Sequence, residues 1–100
     1  MKKKNKLIAE FMGMTPCLTD EGDYLIKGNP IDAKYLPYAT SWDWLMPVIE
    51  KIESLGYVFT IQGGKAEYGE MISETRCFIA KDKMSSTYKA VVEFIKNQNN

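Results

Sequence analysis

The sequence predicts an α+β fold in which a small antiparallel sheet of about three strands is layered with three helices as an alpha-beta-alpha sandwich. Two neighbouring segments are rich in β-branched and aromatic residues and are joined by the turn residues Gly63 and Gly64. Segments with apolar residues at helical spacing precede and follow them. Because strands joined by a tight turn pair antiparallel, this order favours a layered α+β fold over a parallel doubly wound one.

Length and composition indicate one globular domain over residues 1–100, with flexible ends at about 1–4 and 97–100. The chain is 45% hydrophobic and 26% charged, and its thirteen basic residues balance thirteen acidic ones. Near-zero net charge favours self-association over a general attraction to nucleic acid or to anionic membranes. No apolar run approaches a membrane span, and the two cysteines allow at most one disulfide, so we expect no membrane association and a cytoplasmic location.

The first third of the chain combines one helix with one short strand. Apolar residues three and four apart predict an amphipathic helix from Lys4 to Met12, closed by Gly13. A polar turn over Asp20–Asp23 leads into a short strand at Tyr24–Lys27. Residues 31–39 are expected to be extended or irregular.

The second helix is predicted from a single apolar face. Pro47 lacks an N–H, belongs in or near the first turn, and therefore favours a cap at Ser41 or Asp43 with an irregularity around Asp43–Met46. Gly56 is expected to end this helix. The predicted core face consists of Leu45, Val48, Ile49, Ile52 and Leu55.

The second half of the chain predicts two strands and a helix. Residues 57–62 alternate, with Tyr57, Phe59 and Ile61 on one side, and residues 70–79 are expected to form one antiparallel partner strand. Ser85 or Ser86 is expected to cap a final amphipathic helix. Cys17 and Cys77 are expected to be buried or half-buried.

The chain contains no histidine, and this excludes Ser-His and Cys-His nucleophile pairs and the usual histidine-containing zinc sites. The carboxylates are scattered singly along the chain, without the spacing of a metal site or of an acid–base pair. We therefore predict no enzyme activity, no catalytic residue, no cofactor and no metal.

The candidate interaction surface consists of Tyr38, Trp42, Asp43 and Trp44. An exposed aromatic pair would stack on a base, a sugar or a partner's side chain. Alternatively, the two tryptophans lie at the margins of the apolar helix face and close the core, and Asp43 satisfies backbone N–H groups of the first turn. Trp44 is the better functional candidate of the two tryptophans.

Two hypotheses of function follow from these patterns. The first is a non-enzymatic accessory or interaction module that recognises a protein partner or itself. The alternative is a small nucleic-acid-binding module in which N-terminal lysines contact phosphates, although these lysines would equally suit a disordered, solubilising end. The lysines concerned are Lys2, Lys3, Lys4 and Lys6.

Three blocks of the chain, Lys6–Gly13, Tyr38 with Thr40–Ile52, and Tyr88–Lys96, resemble the phage ABA sandwich family. These are short proteins of phages and of Bacteroides-type gut bacteria. The resemblance implies helix, sheet and helix layers and a phage or prophage origin, but no established biochemical activity. Ala39 departs from the histidine or other polar residue that relatives often carry before the helix cap.

Overall fold

A computed structural model of the chain describes residues 2–18, 22–70 and 75–98. These ranges contain α1 (Lys2–Phe11), β1 (Asp23–Ile26), β2 (Asn29–Asp32), α2 (Trp42–Ser54), β3 (Tyr57–Gln62), β4 (Lys65–Glu70), β5 (Thr75–Ile79) and α3 (Lys83–Gln98). Two 3-10 helices, Ala33–Tyr35 and Pro37–Ala39, connect β2 to α2. The predicted α+β class is confirmed.

The outermost parts of the predicted elements reach the limits of the described ranges. Helix α1 begins at Lys2 and α3 continues to Gln98, whereas Met1 and residues 99–100 lie outside the described residues. The predicted turn at Asp20–Asp23 also lies partly outside them. The flexibility of both ends stays a prediction.

The described strands form two antiparallel sheets. Strands β3, β4 and β5 follow one another in a three-stranded sheet, and β1 pairs with β2 in a separate hairpin. The prediction missed β2, because Pro30 lacks a donor and reads as a strand breaker. Pro30 is tolerated here because β2 is an edge strand, so the missing N–H of Pro30 removes no hydrogen bond between the strands. Lys27 and Gly28 form the turn with φ values of 52° and 84°.

The predicted single strand over residues 70–79 was wrong. Strand β4 begins directly after the Gly63-Gly64 turn and pairs with β3, and β5 then pairs with the other edge of β4. Residues 71–74 between these two strands lie outside the described residues. Continuous alternation of polar and apolar residues through this region concealed the division into two strands.

The three-stranded sheet carries its helices on one face and exposes the other. Its inner face buries Phe59, Ala66 and Tyr68, whereas Val58 and Ile79 on the outer face are 43% and 70% exposed. Polar residues such as Thr60, Gln62 and Lys65 share this outer face, and a half-polar antiparallel sheet can face water on one side. The layering therefore differs from the expectation that helices cover both faces.

The prediction for Cys77 was wrong, because it lies exposed on the outer face.

Helix α3 lies at the centre of the core, since it contacts β4 and β5 as well as α1 and α2. The Phe94 ring meets the rings of Phe11, Tyr57 and Tyr68 edge to face, with centroids 6.1, 4.8 and 5.3 Å away. The residues that α3 buries are Ser86, Thr87, Tyr88, Ala90, Val91, Val92, Phe94 and Ile95.

Helix α2 buries most of its predicted face and has its N-cap at Ser41, one of the two predicted positions, but it lacks the irregularity predicted around Asp43–Met46. Four of the five expected core residues are buried, whereas Leu55 is 52% exposed beyond the last helical residue. Pro47 is the sixth helical residue, and the helix runs unbroken through Asp43–Met46. Pro47 has no N–H, so the helix lacks one backbone hydrogen bond at its exposed face. The helix tolerates this loss because its apolar face is packed. Gly56, with φ 97°, follows the helix as predicted.

The start of α3 lies earlier than predicted, so the expected cap at Ser85 or Ser86 was wrong. The Asp82 carboxylate accepts a hydrogen bond of 2.7 Å from the backbone N–H of Ser85. This bond holds the pKa of Asp82 below its usual range. Ser86 is fully buried and donates its hydroxyl hydrogen to the Lys83 carbonyl oxygen. The true cap is therefore an aspartate that precedes both serines.

Gly64 has no room for a side chain. A Cβ placed at Gly64 would lie 2.8 Å from the carbonyl oxygen of Ala80, and the Gly64 carbonyl accepts a 3.0 Å hydrogen bond from the Ala80 N–H. We expect Gly64→Ala to reduce the free energy of unfolding by about 2 kcal/mol, measured by urea denaturation, because the β3–β4 turn must move away from the end of β5.

Gly63 supplies the matched control for this substitution. It has φ 59° and open space around its Cβ position, and asparagine adopts that left-handed conformation readily. Gly63→Asn should cost less than about 1 kcal/mol. Equal losses for the two variants would show that the close approach to Ala80 is not what limits Gly64.

Candidate functional site

Tyr38, the first residue of the predicted surface, belongs to the core. Its side chain is 3% exposed, its hydroxyl group donates to the Met14 sulfur at 3.1 Å, and its ring packs edge to face against Trp44 with centroids 5.4 Å apart. Burial raises the pKa of Tyr38 to about 12. Tyr38 therefore supports the Trp44 ring from inside the core and is not available to a partner.

The other three predicted residues differ in exposure. Trp42 and Trp44 are half-buried and pack against the core, whereas Asp43 is exposed. Ser41 occupies the N-cap position without a side-chain capping bond. The cavities described below are lined by other residues. The structure thus brings Tyr38 and Trp44 into contact with each other.

A buried asparagine fixes the position of α1. Asn5 is fully buried, and its amide nitrogen donates to the carbonyl oxygens of Ala33 and Leu36 at 2.9 and 3.0 Å. The Tyr88 hydroxyl of α3 donates to the Asn5 amide oxygen at 2.8 Å. Burial raises the pKa of Tyr88 to about 12. One side chain therefore joins α1, the first 3-10 helix and α3.

Helices α1 and α3 lie side by side and run in the same direction. Asn5 bonds Tyr88 near their beginnings, and six residues further along each helix Phe11 contacts Phe94. The Lys51 side chain of α2 donates to the Phe11 carbonyl oxygen and secures the end of α1. The N-terminal lysines consequently lie on a packed helix.

Side chains of α1 and α3 line adjoining cavities, which we call the α1–α3 groove. Lys4 and Lys96 take part in both of its larger cavities, which have volumes of about 450 and 520 Å³. The first cavity is also lined by Tyr88, Lys89, Val92 and Glu93, and the second cavity by Lys3, Lys6, Leu7 and Glu10. A smaller cavity of about 130 Å³ lies between Leu7, Glu10, Phe11 and Ile95.

The α1–α3 groove is basic on a chain whose formal net charge is zero. Five lysines against two glutamates leave three net positive charges along it. Of these lysines, Lys96 is paired with Glu93, at 3.6 Å. The first turn of α1 carries no acidic residue, so its lysines add to the positive end of the helix dipole. This arrangement attracts anionic groups to the N-terminal end of α1.

The floor of the α1–α3 groove is apolar. Leu7 of α1 is half-buried and, with the aliphatic stems of the bordering lysines, supplies the accessible apolar surface of the groove, whereas Val92 and Ile95 of α3, each 2% exposed, lie buried beneath it. Lysine side chains border this floor on both helices, with aliphatic stems that cover apolar surface and charged ends in water. The groove therefore suits a ligand that carries negative charges beside apolar groups.

Sequence reasoning missed this combination of α1 with α3. It named Lys2, Lys3, Lys4 and Lys6 but did not connect them with Lys89 and Lys96, which lie two turns apart on α3. That seven-residue spacing places both lysines on one helical face and was the available signal. The proximity of α1 to α3 depends on Asn5 and Tyr88, which no local pattern links.

Within residues 2–18, 22–70 and 75–98, no three histidine, cysteine, aspartate or glutamate side chains come together as a metal site. Nor does any helix in these ranges have the length and apolar character needed to cross a bilayer. Comparison of the chain with protein-family models, curated proteins and solved structures finds no match.

Proposed function

We propose that the protein is a non-enzymatic interaction module that binds an acidic partner protein through the α1–α3 groove. The observation that carries this proposal is the lysine border around an apolar floor, formed by two helices of a chain whose formal net charge is zero. Apolar contact supplies most of the affinity at protein interfaces, and complementary charge adds specificity and speeds association.

The position of the lysines strengthens this proposal. Lys2, Lys3 and Lys4 stand in the first turn of α1, where each exposed cation disfavours the helix by about 0.3–1 kcal/mol. Among the residues that the structure describes, Lys2 alone of these three has an acidic partner, Asp32, at 3.3 Å. Local features that oppose stability are expected at functional positions. Lys3 and Lys4 therefore fit a role in binding better than one in folding.

A nucleic acid explains the site less well. Phosphate contacts require basic and polar groups, and binding to single strands adds exposed aromatic rings on which bases stack. The groove has an apolar floor, and its aromatic residues, Tyr88 and Phe11, are respectively 7% exposed and packed against Phe94. Nucleic-acid binding is accordingly the main competing outcome of the test.

A library of displayed random 16-residue peptides, panned on the wild-type protein, should enrich sequences rich in aspartate and glutamate. We expect the double variant Lys4→Glu, Lys96→Glu to bind the selected peptides at least about tenfold more weakly, because two attractive charges become repulsive. Affinity for the wild-type protein should also fall as salt concentration rises.

The matched control is the double variant Lys27→Glu, Lys65→Glu, which makes the same change of charge away from the groove. Each pair includes one lysine with a surface ion pair, Lys96 with Glu93 and Lys65 with Glu67. The control should retain wild-type affinity. Enrichment of neutral or basic peptides, or tighter binding of a 20-base-pair DNA duplex than of the selected peptides, would contradict the proposal.

We further propose that the protein acts in the cytoplasm and derives from a phage or prophage. The exposed thiol of Cys77, which forms no disulfide, fits a reducing compartment. The proposed origin rests on the three sequence blocks described above. Location of the gene within a phage replication, packaging or tail cluster would support it, and a cluster of unrelated housekeeping genes would contradict it.

A further inference from the structure

We propose that the segment of the acidic partner that occupies the α1–α3 groove is an amphipathic helix. This inference rests on the proposed function and adds the conformation and pattern of the bound segment. Three features carry it, namely the bonding of the groove's walls, the shape of its floor and the distribution of its lysines.

The groove's walls are helices, and this restricts the backbone of any bound segment. The backbone groups of α1 and α3 are paired within their own helices, so they offer no row of free donors and acceptors to an extended chain. An extended segment pressed against the apolar surface of the groove would lose water from its N–H and C=O groups without replacement. A helix satisfies these groups internally. The groove therefore favours a helical ligand.

The floor and the lysines match the two faces of such a helix. Leu7 and the aliphatic stems of the neighbouring lysines form an apolar strip between the parallel axes of α1 and α3, above the buried Val92 and Ile95. Lys3 and Lys6 lie on the α1 side, and Lys89 lies on the α3 side. A bound helix would place an apolar stripe on this strip and acidic residues on both of its margins, the arrangement that helix-in-groove recognition uses.

The dimensions of the groove limit the length of the ligand and the size of its side chains. Helix α1 has ten residues and is about 15 Å long, so it contacts about three turns of a second helix. The cavity beside Lys4 and Tyr88 measures about 450 Å³, whereas the one between Leu7, Phe11 and Ile95 measures about 130 Å³. Bulky apolar residues should therefore bind in the two larger cavities, which share Lys4 and Lys96, and a small one in the cavity between Leu7 and Ile95.

Two 15-residue peptides of identical composition test this inference. In the first, a tryptophan and two leucines recur at positions i, i+4 and i+7 with glutamates on either side; in the second, the same residues are ordered so that no apolar stripe forms. We expect fluorescence anisotropy to show at least tenfold tighter binding of the first peptide. Circular dichroism should show that its helicity rises when it binds.

Variants of the protein separate the contributions of floor and charge. Leu7→Gln should weaken the first peptide and leave the second unchanged, and its thermal midpoint shows whether it remains folded. Lys4→Glu, Lys96→Glu should weaken both peptides. The peptide pair on the wild-type protein keeps the test valid even if Leu7→Gln unfolds.

The outcomes distinguish this inference from the proposed function. Equal affinities and no gain of helicity, with both peptides weakened by the lysine reversals, would overturn the amphipathic helix and leave acidic-partner binding standing. Failure of both peptides to bind at low salt would overturn the proposed function as well.

Discussion

Replacement of Asn5 by alanine should lower the free energy of unfolding by about 4 kcal/mol. The substitution leaves the Ala33 and Leu36 carbonyl oxygens and the Tyr88 hydroxyl without the partner that each has now. A buried polar group that loses its partner costs about 1–3 kcal/mol. A domain with a total stability of about 5–15 kcal/mol would lose much of it. Urea denaturation followed by circular dichroism measures the loss.

Tyr88→Phe provides the control for Asn5→Ala. It removes only the hydrogen bond to the Asn5 amide oxygen, so we expect a loss of about 1–2 kcal/mol. In the double variant the two losses should be less than additive, because both substitutions break the same bond. A loss below 1 kcal/mol for Asn5→Ala would mean that water replaces the asparagine without strain.

Phe94→Ala should have an effect of similar size for a different reason. Phe94 is fully buried and packs edge to face against Phe11, Tyr57 and Tyr68, which belong to α1, β3 and β4. Loss of a buried phenylalanine costs about 3–5 kcal/mol, since apolar contact is lost and a cavity remains. We expect this reduction in the free energy of unfolding, together with a weaker near-ultraviolet circular dichroism signal from the tyrosines.

Two further variants define how specific this effect is. Phe94→Leu keeps most of the volume and should lose less than half as much stability as Phe94→Ala. Val58→Ala truncates an outer-face residue that is 43% exposed, and it should change stability by less than about 0.5 kcal/mol. If Phe94→Ala were as mild as Val58→Ala, α3 would not be the centre of the core.

Elements with a strong local pattern could be predicted from the sequence. The apolar face of α2 from Leu45 to Ile52, its end at Gly56 and the alternation of β3 all appear in the structure. Each depends on residues within a few positions of one another, so periodicity and turn chemistry suffice. The α+β class follows from the order of these elements.

The remaining differences arise where distant contacts decide. Pro30 is a strand residue because it lies on an edge. The Asp82 cap of α3 is an exception, because its bond to the Ser85 N–H is local and Asp82 is a residue type that favours the N-cap position. Tyr38 and Trp44 share an aromatic composition with binding surfaces, but their mutual contact places Tyr38 in the core. The α1–α3 groove depends on a bond between residues 83 positions apart, Asn5 and Tyr88. Sequence spacing carries no information about such a pair.

The central position of α3 has a consequence for biosynthesis. A ribosome makes β3, β4, α1 and α2 before α3, yet all four bury apolar surface against it. Until residues 83–98 emerge, these elements have no complete core to join, and their apolar faces stay open to chaperones and to aggregation. The nascent chain should therefore fold late, in one step that follows the appearance of α3.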